Sequence, residues 1–204
     1  MSYDYDVFLS YKSGKIYGRW VLEVFFDYFK ENLEQSLGRK VNIFIDKSDI
    51  NDGDDWQARI KRSLLKSRCV VAVLSPLYFQ SEWCKRECAT MLFREETLGL
   101  RDIKNPLGLI SAIILHDGDM FPKLIGKIQR RSWHDFALVG KGFENTETFI
   151  DFQKELKKYS DNVATMIKSA PQFNDEWLDD KWVDEPLLRY QLDLEGVLQS
   201  QPVL

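Results

Sequence analysis

The chain has 204 residues, of which 44% are apolar and 29% charged, and this balance fits one globular domain with an appendage better than two full domains. Its formal net charge is -4, and basic residues alternate with acidic ones along the sequence, which argues against a nucleic-acid-binding protein with a basic stripe. Three cysteines, an odd count, argue against a disulfide framework, and no apolar run approaches the ~20 residues that span a bilayer, so we expect a cytoplasmic protein without membrane contact.

The first predicted unit is a strand followed by a long helix. The apolar run at residues 6–10 predicts a strand so close to Met1 that we expect no secretory leader before it. A polar loop over residues 11–14 separates this strand from a helix over roughly residues 17–37, where the apolar side chains keep helical spacing. Gly38 is the expected stop of that helix.

The second and third predicted strands enclose a loop and a helix. The second strand covers residues 41–45, and residues 46–54 after it are of turn-forming types. Trp56, Ile60 and Leu64 are spaced four apart and indicate a helix. The third strand, residues 68–74, is almost wholly apolar, which fits a sheet that is covered on both faces.

Two more strands and two helices follow. Ser81 is a candidate N-cap for a helix over residues 82–97, a fourth strand is predicted at 109–115, and a short fifth strand within 132–136. A long last helix should begin at Asn145 or Thr146. The buried stripe of that helix should consist of Phe149, Phe152, Leu156, Tyr159, Val163, Met166 and Ile167.

The regular alternation of strands and helices predicts an α/β fold with a parallel sheet. We assign residues 1–168 to this domain and residues 169–204 to a C-terminal extension. The extension mixes tryptophans with acidic residues between positions 174 and 186, and it is too aromatic for a free linker. We therefore expect it to pack on the domain or on a partner.

Several segments, taken in order, resemble the boxes of the TIR (Toll/interleukin-1 receptor) domain family. Each box alone is a weak signal, but all of them occur in the right order and spacing. The resemblance covers about the first 135 residues well and the last helix loosely, and it does not cover the extension. The matching segments are residues 5–11, residues 44–46 with 50–53, residues 74–76 with Tyr78, residues 81–87 and, more weakly, residues 132–133.

The resemblance implies a flavodoxin-like three-layer fold with a central five-stranded parallel sheet. Some members of the family are adaptors that only self-associate, and others, including many bacterial and plant members, cleave NAD or make signalling nucleotides from it. The catalytic glutamate of the enzymatic members lies in a Trp-Cys-x-x-Glu-like stretch, which here ends at Glu87. The implied function is that of an NAD glycohydrolase or cyclase in bacterial antiphage defence of the Thoeris type. It needs no cofactor, because NAD is the substrate.

The pattern around Glu87 allows two interpretations. Trp83, Glu87 and Met91 share one row of the predicted helix, beside an apolar row that contains Cys84 and Cys88. A carboxylate between a tryptophan and a methionine is partly desolvated, so its pKa should rise. The pattern alone favours a boundary glutamate paired with a basic residue, whereas the resemblance favours a catalytic one.

One carboxylate can suffice for cleavage of NAD. Most glycosidases need a second, acidic group to protonate the leaving oxygen. Nicotinamide is cationic in NAD and leaves as a neutral molecule, so the remaining task is to stabilise positive charge on the ribose. Attack by water would give ADP-ribose, and attack from within the molecule would give a cyclic product.

Further substrate-binding candidates follow the predicted strands, because open α/β sheets bind ligands beyond the carboxyl ends of their strands. Residues of the second loop and of the helices are further candidates. Lys12 could hold a phosphate, and Tyr11 or Trp56 could stack on a ring, although a solvated lysine and core aromatics are the alternative. The candidates are Ser10, Tyr11, Lys12, Asp46, Gly53, Trp56, Ser75 and Trp83.

Other functions stay open. A non-catalytic TIR scaffold would act through self-association, with loop 46–54 and the extension as candidate interfaces, whereas an enzyme would bind NAD and signal to an effector that senses its product. Some enzymatic members carry an acidic residue where Asn51 stands here, which leaves the role of that loop open.

A phospho-receiver would need acidic residues after the first and third strands, and neither place has one. Cys84 and Cys88 are better explained as core thiols than as metal ligands.

Overall fold

The computed structural model describes residues 2–46, 53–101, 108–116, 120–140, 142–190 and 192, and of residues 15 and 53–55 it describes the backbone. All strands are parallel and form one five-stranded sheet in the order β2-β1-β3-β4-β5. This arrangement confirms the predicted α/β fold. The strands are β1 (Tyr5–Tyr11), β2 (Ile43–Ile45), β3 (Ser67–Leu74), β4 (Ile110–Ile114) and β5 (Gln129–Ser132).

Helices connect these strands. The predicted first helix is a helical run from Lys15 to Leu37 that contains a π-helical turn, and it ends at Gly38, whose φ of 68° is a left-handed conformation that glycine adopts without strain. The predicted last helix begins after the N-cap Thr146, and its predicted stripe is buried. The helices are α1 (Lys15–Trp20), the π turn (Val21–Phe25), α2 (Phe26–Leu37), α3 (Gly53–Leu65), α4 (Pro76–Phe79), α5 (Glu82–Thr97), α6 (Glu147–Lys168) and α7 (Lys181–Arg189).

The sheet is covered by helices on both faces, so its central strands are mostly apolar. Val7 and Leu9 of β1 face a core formed with α2 and α6, whereas Phe8 between them faces a core formed with α3 and α5. Strand β3 alternates in the same way, with Val71 on the first side and Val70 on the second. The result is a three-layer sandwich, as the continuous apolar strands predict.

The fifth strand lies earlier than predicted. We expected it within residues 132–136, but β5 ends at Ser132 and residues His134–Phe136 form a 3-10 helix. All four residues of β5 are exposed, so this edge strand has no apolar pattern and is held by backbone pairing to β4. The prediction rested instead on the apolar residue Trp133, which is buried just after the strand.

The C-terminal extension contains a short 3-10 helix (Asp175–Leu178) and then α7. Trp177, Trp182 and Val183 are buried in the same core as α3 and α5. The guanidinium of buried Arg94 lies 4.4 Å from the centre of the Trp177 ring. The division of the chain at residue 168 stays a prediction.

None of the helices formed by the described residues is both long enough and apolar enough to cross a membrane.

Candidate active site

A cleft opens at the carboxyl end of the sheet, between the loop after β1 and helices α3 and α5. Its volume is about 120 Å³. Parallel strands all end at this edge, so residues that are far apart in sequence meet here. The described residues that line the cleft are Phe8, Leu9, Tyr11, Lys12, Ser13, Asp46, Trp56, Ile60, Ser81, Trp83, Cys84 and Glu87.

Glu87 is the buried carboxyl group of this cleft. It lies in the second turn of α5, which begins after Ser81 at the N-cap position, and 7% of it is exposed. Cys84 and Cys88 on the same helix point into the core, as their spacing predicts, and burial raises the pKa of both thiols. The neighbouring row, which contains Glu87, therefore faces the end of β1.

A chain of hydroxyl groups fixes the Glu87 carboxyl. Ser10 Oγ at the end of β1 lies 2.5 Å from Glu87 Oε2 and 2.7 Å from the Tyr78 hydroxyl. When Glu87 is ionised it can only accept, so Ser10 donates its single proton to Glu87 and Tyr78 donates to Ser10. All three groups are buried, which holds the carboxyl in one orientation.

Burial raises the pKa of Glu87 to about 8. The hydrogen bond from Ser10 opposes this rise in pKa, and the negative charge of Asp46 adds to it. A carboxyl group with a pKa near neutrality can both hold and release a proton at the working pH, which suits a general base. It also ionises more readily when a cation binds beside it.

Two tryptophans form one wall of the cleft, and we call them the aromatic wall. The rings of Trp56 on α3 and Trp83 on α5 meet edge to face, with centroids 5.3 Å apart. Asp46 after β2 orients this wall, because its Oδ2 accepts a hydrogen bond of 2.9 Å from Trp56 Nε1. The Tyr11 hydroxyl donates to the backbone oxygen of Asp46 at 2.7 Å, which links β1 to β2 at the same place.

Most of the predicted site residues come together here. Ser10 contacts Glu87 through its hydroxyl group. The predicted residues that line the cleft are Tyr11, Lys12, Asp46, Trp56, Trp83 and Glu87. The Lys12 side chain lies on the exposed rim.

Two predicted residues are placed differently. Ser75 is buried at the start of α4 and is not among the described residues that line the cleft. Gly53 is the first residue of α3. The loop before it, residues 47–52, lies outside the described residues, and Asn51 and Asp52 belong to that loop.

Sequence reasoning missed Tyr78 as a member of the site. Tyr78 was part of the family resemblance, but its contact with Ser10, 68 positions away, has no local signal in the sequence. Ile60 and Ser81 also line the cleft, but from the sequence Ile60 had only a place in helix spacing, and Ser81 was not proposed as a substrate-binding residue.

Metal-ligating side chains do not cluster in the part of the chain that the structure describes, where no group of three His, Cys, Asp or Glu residues could hold an ion. Cys84 and Cys88 are free thiols.

Comparison with known proteins gives one family match. A sequence model described as the TIR domain matches residues 7–167. Among curated proteins, no sequence matches at a significant level.

Two solved structures are similar to the chain at low identity. The TIR domain of the Toll-related receptor TRR-2 from Hydra magnipapillata is 16% identical, with 75% of this chain and 98% of that chain covered and a TM-score of 0.42. The TIR domains of the activated Roq1 resistosome, which recognises the pathogen effector XopQ, are 17% identical, with 81% and 85% covered and a TM-score of 0.39.

Proposed function

Because the chain belongs to the TIR domain family, we propose that it is an enzyme that breaks the bond between nicotinamide and ribose in NAD, with Glu87 as its catalytic residue. The observation that carries the proposal is the state of Glu87. It is a buried carboxyl group of raised pKa, hydrogen-bonded to Ser10, in a cleft where α/β sheets bind their ligands.

The reaction needs only one carboxylate. The bond between ribose C1′ and the nicotinamide nitrogen breaks, and nicotinamide leaves neutral with the bonding electron pair. The ionised Glu87 stabilises the positive charge that develops on the ribose. Water then attacks C1′ and gives its proton to Glu87, so NAD and water become ADP-ribose, nicotinamide and a proton.

Proton uptake by Glu87 agrees with its pKa. In the free cleft at neutral pH most of the Glu87 carboxyl groups carry a proton, because the pKa is about 8. The positive charge of the nicotinamide ring lowers this pKa when the substrate binds, so the carboxylate is formed where it is needed. Substrate binding and ionisation of Glu87 are therefore coupled.

The size of the cleft limits how much of NAD it holds. Its volume of about 120 Å³ is smaller than the roughly 300 Å³ at which pockets for drug-sized ligands begin. We assign it to the nicotinamide and its ribose, with the aromatic wall against the rings. The diphosphate would lie outside, near the ammonium group of Lys12 on the rim.

The proposal also includes a wider biological role. Water attack would yield ADP-ribose and internal attack a cyclic ADP-ribose-type nucleotide, and either can diffuse to an effector. We propose that such a signal serves bacterial antiphage immunity, and that contacts between TIR domains of neighbouring copies assist the enzyme. The alternative is a TIR scaffold that binds partners without turnover.

Replacing the carboxyl group by an amide tests the proposal. In Glu87→Gln the side chain keeps its shape and cannot stabilise the cation, so nicotinamide release from NAD should fall by about a thousandfold or more. The matched control is Glu96→Gln, an exposed glutamate on the same helix, which should keep full turnover. A folded wild type without turnover, at protein concentrations that favour self-association, would favour the scaffold instead.

A further inference from the structure

One carboxylate of the C-terminal extension joins the two helices that carry the aromatic wall. Asp184 lies on α7, and its Oδ1 is 2.6 Å from Arg86 Nη1 on α5. Its other oxygen, Oδ2, is 2.8 Å from Lys61 Nζ on α3. Both carboxylate oxygens are thus engaged, each with a different helix.

The two cations that Asp184 binds adjoin residues of the cleft. Arg86 precedes Glu87, and its guanidinium lies 5.4 Å from the centre of the Trp83 ring. Lys61 follows Ile60, which lines the cleft, on the helix that also carries Trp56. Asp184 is therefore linked, through one side chain on each helix, to the two helices whose tryptophan rings meet in the aromatic wall.

We infer that Asp184 is a positioning residue, which holds α3 and α5 at the separation that the aromatic wall needs. This inference rests on the proposed function for its effect on substrate. Without the carboxylate, two cations of like charge would face each other from neighbouring helices. Since only 18% of the Lys61 side chain and 25% of the Arg86 side chain are exposed, water screens this repulsion poorly.

The electrostatics of Lys61 agree with this role. The hydrogen bond from Lys61 to Asp184 is the largest cause that raises the pKa of the Lys61 ammonium group. Asp180 also lies near this ammonium, at 3.5 Å, but it is exposed and forms no ion pair with Arg86 in the described part of the chain. Asp180 therefore cannot replace the bridge between the two helices.

A purely anchoring role for Asp184 is a weaker explanation. The extension is already attached through buried apolar side chains, among them Trp177, Trp182 and Val183. Ion pairs with a half-exposed carboxylate add little to such an attachment. The two ion pairs instead fix the positions of α3 and α5 relative to one point on α7.

The test compares two single substitutions on α7 in the full chain. Asp184→Asn removes the bridge at the cleft, and Arg189→Gln removes the α5–α7 ion pair with Glu96 at the far end of the same helices. The readout is the indole N–H signal of each tryptophan in a nitrogen–proton correlation spectrum, assigned with Trp56→Phe and Trp83→Phe. These signals report the position of the wall without any substrate.

We expect Asp184→Asn to shift the Trp56 and Trp83 signals and Arg189→Gln to leave both in place. The KM for NAD should rise about tenfold in Asp184→Asn while kcat changes by less than about twofold, because the wall is displaced while the hydrogen bond from Ser10 holds the Glu87 carboxyl in place. Asp184→Glu, which keeps the charge, should restore most of the lost affinity.

Two results would overturn the inference. One is a spectrum of Asp184→Asn in which only Trp177 and Trp182 move, as a mere anchor would require. The other is an unchanged KM despite shifted Trp56 and Trp83 signals. A wild type that does not consume NAD would contradict the proposed function instead, and the indole signals alone would then decide whether Asp184 positions the wall.

Discussion

At the scale of single residues, the protonation of Glu87 controls the proposed reaction. Its pKa in the free cleft is about 8, because burial disfavours the charged form and the negative charge of Asp46 adds to this, against the hydrogen bond from Ser10. Since the reactive form is the carboxylate, kcat/KM for NAD should rise with pH up to about 8 and level off above, because this parameter reports the free enzyme. A steady-state pH profile measures it.

The same pH profile also tests how the positive charge of the bound substrate changes the pKa of Glu87. The cationic ring of bound NAD should lower the pKa of Glu87, so kcat, which reports the complex, should level off at a lower pH than kcat/KM does. A kcat/KM that is flat from about pH 6 to about pH 9 would contradict the assignment of Glu87 as the titrating group.

The pKa of Glu87 also predicts how stability depends on pH. The folded pKa is raised above the ordinary value of 4.5, so between these values the folded protein holds a proton that the unfolded chain has released. The contribution of Glu87 to the free energy of unfolding therefore falls as pH rises from 4.5 to about 8, by on the order of a few kcal/mol, and stays low above that range.

Glu87→Gln isolates this effect, because its side chain does not titrate. The variant should match the wild type in melting temperature near the low end of this range and exceed it increasingly as the pH approaches about 8. Thermal unfolding across the range measures the difference. A melting-temperature difference for Glu87→Gln that does not grow with pH would mean that Glu87 is not desolvated.

At the scale of elements, the C-terminal extension contributes buried side chains to the hydrophobic core. Trp177 is buried between Phe173, Tyr3 and the guanidinium of Arg94. Trp177→Ala would leave a large cavity and remove the ring face above a buried cation, so we expect a loss of about 3–5 kcal/mol in the free energy of unfolding.

Urea unfolding measures this loss, and Leu188→Ala in the same extension is the matched control. Leu188 is 90% exposed, so its truncation should change the free energy by less than about 0.5 kcal/mol. Equal effects of the two substitutions would show that the extension lies loosely on the domain.

The elements differ in how far the sequence could predict them. Both ends of helix α5 and the start of helix α6 were predicted almost to the residue, because apolar spacing and the N-cap residues Ser81 and Thr146 are local signals. Strand β5 was misplaced because it lies exposed at the edge of the sheet and carries no apolar pattern. The spacing of apolar residues reflects burial, so an element that is not buried cannot be recognised from that spacing.

The candidate site shows the same limit at longer range. The position of Glu87 beside a buried row and the direction of its pKa were predictable from α5 alone. Its contact with Ser10, 77 positions away, and the bond between Ser10 and Tyr78 depend on how the strands align. The bridge from Asp184 to α5 spans 98 positions and follows no local rule.

At the scale of the whole molecule, the strand order explains why the cleft is where it is. In the order β2-β1-β3-β4-β5, the helix that follows β1 lies on one face and the helices that follow β2 and β3 lie on the other. The connections diverge at the ends of β1 and β3, which is the place where such sheets bind ligands. Ser10 and Lys12 reach this point from β1, Asp46 from β2, and Glu87 from α5 after β3.

The most direct measurement of the central claim is product analysis by chromatography and mass spectrometry after incubation of the full chain with NAD in oxygen-18 water. The account predicts free nicotinamide together with ADP-ribose that carries the label on its ribose, or an unlabelled cyclic isomer, and loss of these products in Glu87→Gln. Intact NAD, cleavage at the diphosphate instead of at the ribose, or products that persist in Glu87→Gln would contradict it.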